Sequence, residues 1–204
     1  MLIGLTGKKN VGKDEVFRTI EELDTHGQNI DVVRIAFADS MKRALASLFA
    51  VPYNIIEENK NSGEISLEIP GSGNQKYGYN DHHTDKYHIT LRQAIQRFGT
   101  EVGRRHFGED FWLDKALPPD LGPSCHKGKI VVVTDVRFRN EAERIVKLGG
   151  HIWEVTRPDS DNRDSHSSES GIDPKLINGH INNDGSVEDL REKVREALFL
   201  ISVW

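Results

Sequence analysis

Short apolar runs alternate with amphipathic stretches along this chain. LIGLT (2–6), DVVRIAF (31–37), KIVVVT (129–134) and HIWEVT (151–156) are brief and mostly β-branched, and HINN (180–183) is placed like them, so each reads as a strand. Between them, helical patterns lie at 13–23, 40–49, 90–106, 109–117, 139–148 and 186–200. Strands alternating with helices predict an α/β fold, with a five-stranded, mostly parallel sheet covered on both faces. Two polar stretches break the alternation. Residues 61–89, rich in Gly, Asn, His and Tyr, are too long for a plain connection and read as an inserted flap, a small hairpin or a disordered loop. Residues 157–171 (RPDSDNRDSHSSESG) have the same look and follow the fourth strand.

The first strand runs into Gly7-x-x-x-x-Gly12-Lys13 and then into an amphipathic segment carrying Val16, Phe17 and Ile20. Strand, glycine-rich loop and helix in that order are the context in which such a spacing cradles phosphates. Glycines let consecutive backbone N–H groups converge on an anion while the lysine reaches its outer oxygens. Gly7, Asn10, Val11, Gly12 and Lys13 are therefore candidates to hold a nucleoside triphosphate, with ATP and Mg²⁺ the expected ligands. The residue after Lys13 is Asp14 rather than the Ser or Thr that usually ligates magnesium. Asp14 is a metal candidate on one reading and a helix-dipole partner on another, and Glu15 could serve the dipole equally well.

Composition narrows the field. With 204 residues the chain is one domain of ordinary size, able to bury a single core with one protruding lobe. A net charge of −5 gives no overall basic surface, which argues against sequence-independent nucleic-acid binding and leaves room for a basic patch around a small anion. Cys125 is the only cysteine, so there is no intramolecular disulfide and no multi-cysteine zinc site. No secretory h-region and no long apolar stretch are present, and the expected location is cytoplasmic, without a membrane partner.

Ligands in such sheets collect at the carboxyl ends of strands. The second strand ends in Phe37-Ala38-Asp39 with Lys42 and Arg43 a turn later, where Asp39 either orients a phosphoryl acceptor or caps the following helix. The third ends in Thr134-Asp135-Val136-Arg137, placing Asp135 where a magnesium-directed carboxylate belongs and Arg137 beside it. On the helix from residue 90, Arg92, Gln93, Gln96 and Arg104 suit a monophosphate and a base edge, while Arg97 and Arg105 suit an ordinary solvated face. His82, His83 and His88 read as solvated loop residues more readily than as a zinc site.

TLRQAIQRFGTEVGRRHFGEDFW (90–112), TDVRFRNEAERIVKLGGHIWEVTRP (134–158), HSSE (166–169) and INNDGSVEDL (181–190) occur in that order, and together they resemble the deoxynucleoside monophosphate kinases of tailed bacteriophages. The resemblance covers most of the chain and is weakest over 50–89. It implies a phosphate-loop kinase moving the γ-phosphoryl group of ATP, with Mg²⁺, to a 5′-deoxynucleotide for DNA precursor synthesis, in the host cytoplasm if the chain is phage-encoded. By the same resemblance Lys13 matches the ATP-phosphate lysine and Asp39 the acidic residue after the second strand. Arg92 and Arg104 match acceptor-side arginines, and Asp135 and Arg137 the DVR signature. Phe37, Lys42, Glu101 and Trp112 join the substrate side. Residues 157–171 match a lid, from which Arg157 or Arg163 could swing over ATP. Glu15 stands where the family often carries Thr. A related small-molecule kinase of the dephospho-coenzyme A type, or a nucleotide-binding regulator, is the alternative, and a homodimer is left open.

Overall fold

The structure, a computed structural model, describes residues 1–23, 31–59, 66–69, 87–120, 128–158 and 172–202. Its elements are β1 (Leu2–Thr6), α1 (Lys13–Leu23), β2 (Asp31–Ile35), α2 (Phe37–Leu48), α3 (Tyr53–Asn59), β3 (Ser66–Ile69), β4 (Tyr87–Thr90) and α4 (Leu91–Arg97). A π-helical segment, Phe98–Arg104, then leads to α5 (Arg105–Phe107), α6 (Phe111–Ala116), β5 (Lys129–Val133), α7 (Arg139–Lys147), β6 (His151–Thr156), β7 (Gly179–Asn182) and α8 (Val187–Ser202). The contacts divide the chain into two compact units, Met1–Phe37 with Leu113–Trp204, and Ala38–Trp112.

The first unit holds the expected five-stranded sheet, ordered β2-β5-β1-β6-β7, with every neighbouring pair parallel. β1 lies at its centre and is buried at all five positions, which is why its sequence is apolar throughout. The strand period of two sorts the core into two faces. Leu2, Val131, Val133 and Ile152 point to the face covered by Ala142 and Ile145 of α7. Ile3, Leu5, Val132, Trp153 and Val155 point to the other, against Val16 and Ile20 of α1 and Leu190, Val194 and Leu198 of α8. Each fully buried aliphatic side chain of this kind contributes about 1.5–3 kcal/mol.

The second unit packs Met41, Leu45 and Ala46 of α2 with Ile56 of α3 and Leu91 and Ala94 of α4. Part of the 61–89 stretch forms a hairpin in it: β3 pairs antiparallel with β4 in the register Leu67↔Ile89.

Three expectations need correction. β2 ends at Ile35 and α2 begins at Phe37, three residues earlier than the pattern suggested, because the Asp135 carboxylate accepts the Phe37 N–H at 2.8 Å and turns the chain into a helix at once. The helix expected over 90–106 is not uniform, since its middle is π-helical. α3 was not anticipated, although Pro52 announces it: its carbonyl accepts the Ile55 N–H at 3.0 Å. Among the described residues no helix is long and apolar enough to cross a membrane.

Candidate active site

The parallel register brings the chemistry to one edge of the sheet. Gly4 is opposite Val133 and Thr6 opposite Glu154, so the loop leaving β1 exits between the residues that follow β5 and those that follow β6. Gly7, Asp135, Arg137, Arg157 and Asn183 all lie just beyond the carboxyl ends of strands. Arg137 and Arg157 are exposed there and Asp135 is half-buried.

The loop itself has the conformation its glycines permit. Gly7 sits at φ 132° and Gly12 at φ 106°, with Asn10 at φ 63°. A Cβ on Gly7 would lie 2.2 Å from the Val155 carbonyl oxygen, and one on Gly12 would lie 2.6 Å from the Asn183 amide nitrogen, so neither position accepts a side chain. Val11, 1% exposed, anchors the loop in the core. Asn183 donates from Nδ2 to the Val11 carbonyl at 2.8 Å, and Lys13 Nζ donates to the carbonyls of Gly7 and Lys8, each at 2.7 Å. The lysine head is thus folded over the loop, where an anion held by the backbone N–H groups would meet it.

Asp14 is exposed in the first turn of α1. Glu15 is engaged otherwise: it accepts from Arg191 of α8 at 3.2 and 3.3 Å and pairs with Arg18 at 3.4 Å. Glu15 therefore ties α1 to α8. Among the described residues no three His, Cys, Asp or Glu side chains gather into a metal cluster. Asp135 and Asp14 are accordingly single carboxylates at the loop's edge, a donor set that suits a magnesium ion carrying most of its own water.

Sequence reasoning missed Glu141. Only 4% exposed, it accepts the backbone N–H groups of Arg137 at 2.8 Å and Phe138 at 3.0 Å, and so fixes the turn that presents Arg137. The signal was present as a Glu at the third position of the helix that follows DVRF. Asn183 and Arg191 were missed for another reason, since both act across more than 170 residues of sequence.

In the second unit, Asp39 accepts from Tyr53 Oη and from Lys42 Nζ, both at 3.3 Å, and Lys42 Nζ also pairs with Glu57 at 2.7 Å. Burial first, then the charges of Asp39 and Glu57, push the Tyr53 phenol above its ordinary value. Lys42 is 6% exposed, so its charge serves this internal cluster rather than a nucleotide phosphate. On α4, Arg92 and Gln96 are half-buried, as is Arg104 at the end of the π segment, while Arg97, Glu101 and Arg105 are exposed. Gln93 is the reciprocal half of a capping box, its Oε1 accepting the Thr90 N–H at 3.1 Å.

Packing bears on two substrate-side expectations. Phe37 is 4% exposed within the core of the first unit and offers no surface to a ligand. Trp112 donates its indole N–H to the Gly99 carbonyl at 2.9 Å and packs between Phe98 and Phe111, which makes it part of the frame. Arg163, Cys125, His82, His83, His166, Ser168 and Glu169, and residues 159–171 of the expected lid, lie outside the described residues, as does the His88 side chain.

A putative deoxynucleotide monophosphate kinase of Acanthamoeba polyphaga mimivirus is 28% identical over 188 residues, covering 83% of this chain and 80% of that protein. The deoxynucleotide monophosphate kinase of Enterobacteria phage T4 is 27% identical over 110 residues, which cover 53% of this chain and only 45% of the phage protein. A solved structure, the dephospho-CoA kinase from Campylobacter jejuni, aligns over 98% of this chain and 96% of its own at 15% identity and a TM-score of 0.41, too low to bear on fold or function. The family model described as deoxynucleotide monophosphate kinase matches residues 73–194, more than half of the chain, and the chain belongs to that family.

Proposed function

We propose that this chain performs its family's reaction with a divided set of residues: the loop Gly7–Lys13 and the Asp135–Arg137 turn on the ATP side, and Arg92, Gln96 and Arg104 on the deoxynucleotide side. It is a phosphotransferase, and the acceptor is a deoxynucleoside 5′-monophosphate, which becomes the diphosphate needed for DNA precursor synthesis. The observation that carries the division is the loop geometry, in which two glycines at positive φ and a lysine folded onto the Gly7 and Lys8 carbonyls form a cradle that no side chain could share.

Phosphoryl transfer between two anions asks little covalent participation of the protein; it asks for in-line alignment and for cations along both phosphates. Lys13 shifts from the Gly7 and Lys8 carbonyls to phosphate oxygens when ATP enters. Magnesium, when bound, would neutralise charge on the transferring group, and Asp135 would be the carboxylate that holds it, with Asp14 at the same edge. Arg137, on a turn fixed by Glu141, supplies a further cation. Asp39, held by Tyr53 and Lys42, orients the acceptor, and Gln96 reads its base edge, while Arg92 and Arg104 grip its phosphate. Arg157, and Arg163 beyond it, serve the ATP side as closure excludes water.

The test varies both substrates for Arg92→Lys and Arg104→Lys. A point charge cannot reproduce the two-toothed guanidinium grip, so the Michaelis constant for the deoxynucleotide should rise by roughly tenfold or more while that for ATP holds. A rise confined to ATP would reverse the assignment of the two sides. A panel of all deoxynucleoside and ribonucleoside monophosphates then defines which bases are accepted.

A further inference from the structure

The helix that carries Arg92 and Arg104 changes its winding midway. α4 is capped at Thr90 and keeps ordinary bonding as far as Phe98, whose N–H reaches the Ala94 carbonyl. From Phe98 to Arg104 the segment is π-helical, and the Arg105 N–H closes it on the Thr100 carbonyl, five residues back. π turns are rare and hold fewer well-placed contacts than α turns, so a full run of one needs something to sustain it.

Trp112 supplies that. Its indole N–H donates to the Gly99 carbonyl at 2.9 Å, and the ring lies close against the backbone one turn later, at Gly103. A Cβ on Gly103 would fall 2.0 Å from Nε1 and 2.4 Å from Cε2. The ring is itself held by Phe98, centroids 5.9 Å apart, and by Phe111 in an edge contact at 4.8 Å. Gly99 is pressed from another side, since a Cβ there would lie 2.5 Å from the Met41 sulfur. Indole and glycines fit one another only with the chain in this winding.

The winding decides where the arginines point. In a continuous α-helix, twelve steps of about 100° would leave Arg104 about 120° round from Arg92. π turns hold more residues, so each step rotates by only roughly 80°, and six such steps from Phe98 onward remove about that 120°. Arg92 and Arg104 therefore share one face of the helix, with Gln96 one turn along from Arg92, and all three are half-buried. We infer that the Trp112 indole, clamped over Gly103 and bonded to the Gly99 carbonyl, is a positioning device that holds the π winding and so brings Arg92 and Arg104 into register as a single grip for the acceptor phosphate. Trp112 acts through the helix and touches no substrate. This rests on the assignment of the two arginines to the acceptor side.

The experiment uses the full chain and three kinds of variant. Trp112→Phe keeps the aromatic packing and removes the indole N–H; Gly103→Ala pushes a methyl group into the ring; Arg104→Lys removes the guanidinium fork. Both positioning variants should raise the Michaelis constant for the deoxynucleotide by roughly tenfold with that for ATP unchanged, as expected for lost pre-organisation of one site. Combined with Trp112→Phe, Arg104→Lys should add little, because the grip is already out of register. If Gly103→Ala does not fold, Trp112→Phe and its double variant carry the test alone. The inference is overturned if Trp112→Phe leaves the acceptor constant unchanged while Arg92→Lys and Arg104→Lys raise it, or if the effects of Trp112→Phe and Arg104→Lys simply multiply. If neither arginine variant affects the acceptor constant, the acceptor-side assignment fails, and the inference fails with it.

Discussion

Asn183 reaches across 172 residues of sequence to donate its side-chain amide to the carbonyl of Val11 at 2.8 Å. It joins the end of the last strand to the middle of the phosphate loop, and its own backbone N–H is bonded to Thr156 at the end of the neighbouring strand. The loop is thus held from outside, by a residue just beyond the last strand.

Asn183→Ala should therefore loosen the loop more than the fold. Losing one such bond costs about 1 kcal/mol. In steady-state kinetics the Michaelis constant for ATP should rise several-fold while that for the deoxynucleotide stays put. Equal changes in both would mean that Asn183 supports the whole unit rather than the loop.

Lys13→Ala should abolish transfer and leave the protein folded, because the ammonium bonds the Gly7 and Lys8 carbonyls of the loop and takes no part in the apolar core. A preorganised cation on the transferring group is worth roughly two to three orders of magnitude in rate. Turnover close to wild type, beside an unaltered thermal melt, would remove the loop from the mechanism.

Asp135 and Glu15 make a matched pair of tests. Asp135→Asn keeps an oxygen able to accept the Phe37 N–H, so α2 still starts where it does, yet the charge proposed to face magnesium is gone. The magnesium concentration needed for half-maximal rate should rise sharply. Glu15→Gln disturbs only the pairing with Arg191 and Arg18, worth about 0.2–1 kcal/mol for groups this close to solvent, and should leave the magnesium titration unchanged. If the two titrations behave alike, the metal is held elsewhere.

Glu141→Ala leaves the Arg137 and Phe138 N–H groups without their acceptor and should destabilise the protein by about 2 kcal/mol in urea melts, with a fall in turnover as Arg137 loses its fixed turn. Glu141→Gln retains an acceptor oxygen and should recover most of both losses. Failure of Gln to rescue either would point to the charge, and not the turn, as what matters.

Tyr53 bears on stability at high pH. Its phenol is raised above 10.0 by burial first and by Asp39 and Glu57 next, so the folded state holds this proton more tightly than the unfolded chain. That contribution is complete below the unfolded value and is lost as pH rises through the folded one. Between about pH 9 and pH 11 the wild type should lose stability more steeply than Tyr53→Phe. Parallel curves would show that the phenol takes no part.

Local pattern was enough for the sheet, because the buried positions of its strands are mostly apolar, and the short runs LIGLT, KIVVV and HIWEVT show them without reference to anything distant. It was enough also for the glycine-rich turn after β1, where Gly7 and Gly12 take the positive φ that their residue type permits. What the chain could not announce is every feature made by contact between remote segments. Asp135 sets the start of α2, Arg191 pairs with Glu15, and Asn183 braces the loop, each through a side chain whose partner lies far off in sequence. The winding after Phe98 belongs to the same class. Leu91 to Phe107 carries an ordinary helical period, and its π turns exist because an indole from the next helix fits against Gly103 and bonds Gly99, a match that only the folded unit brings about.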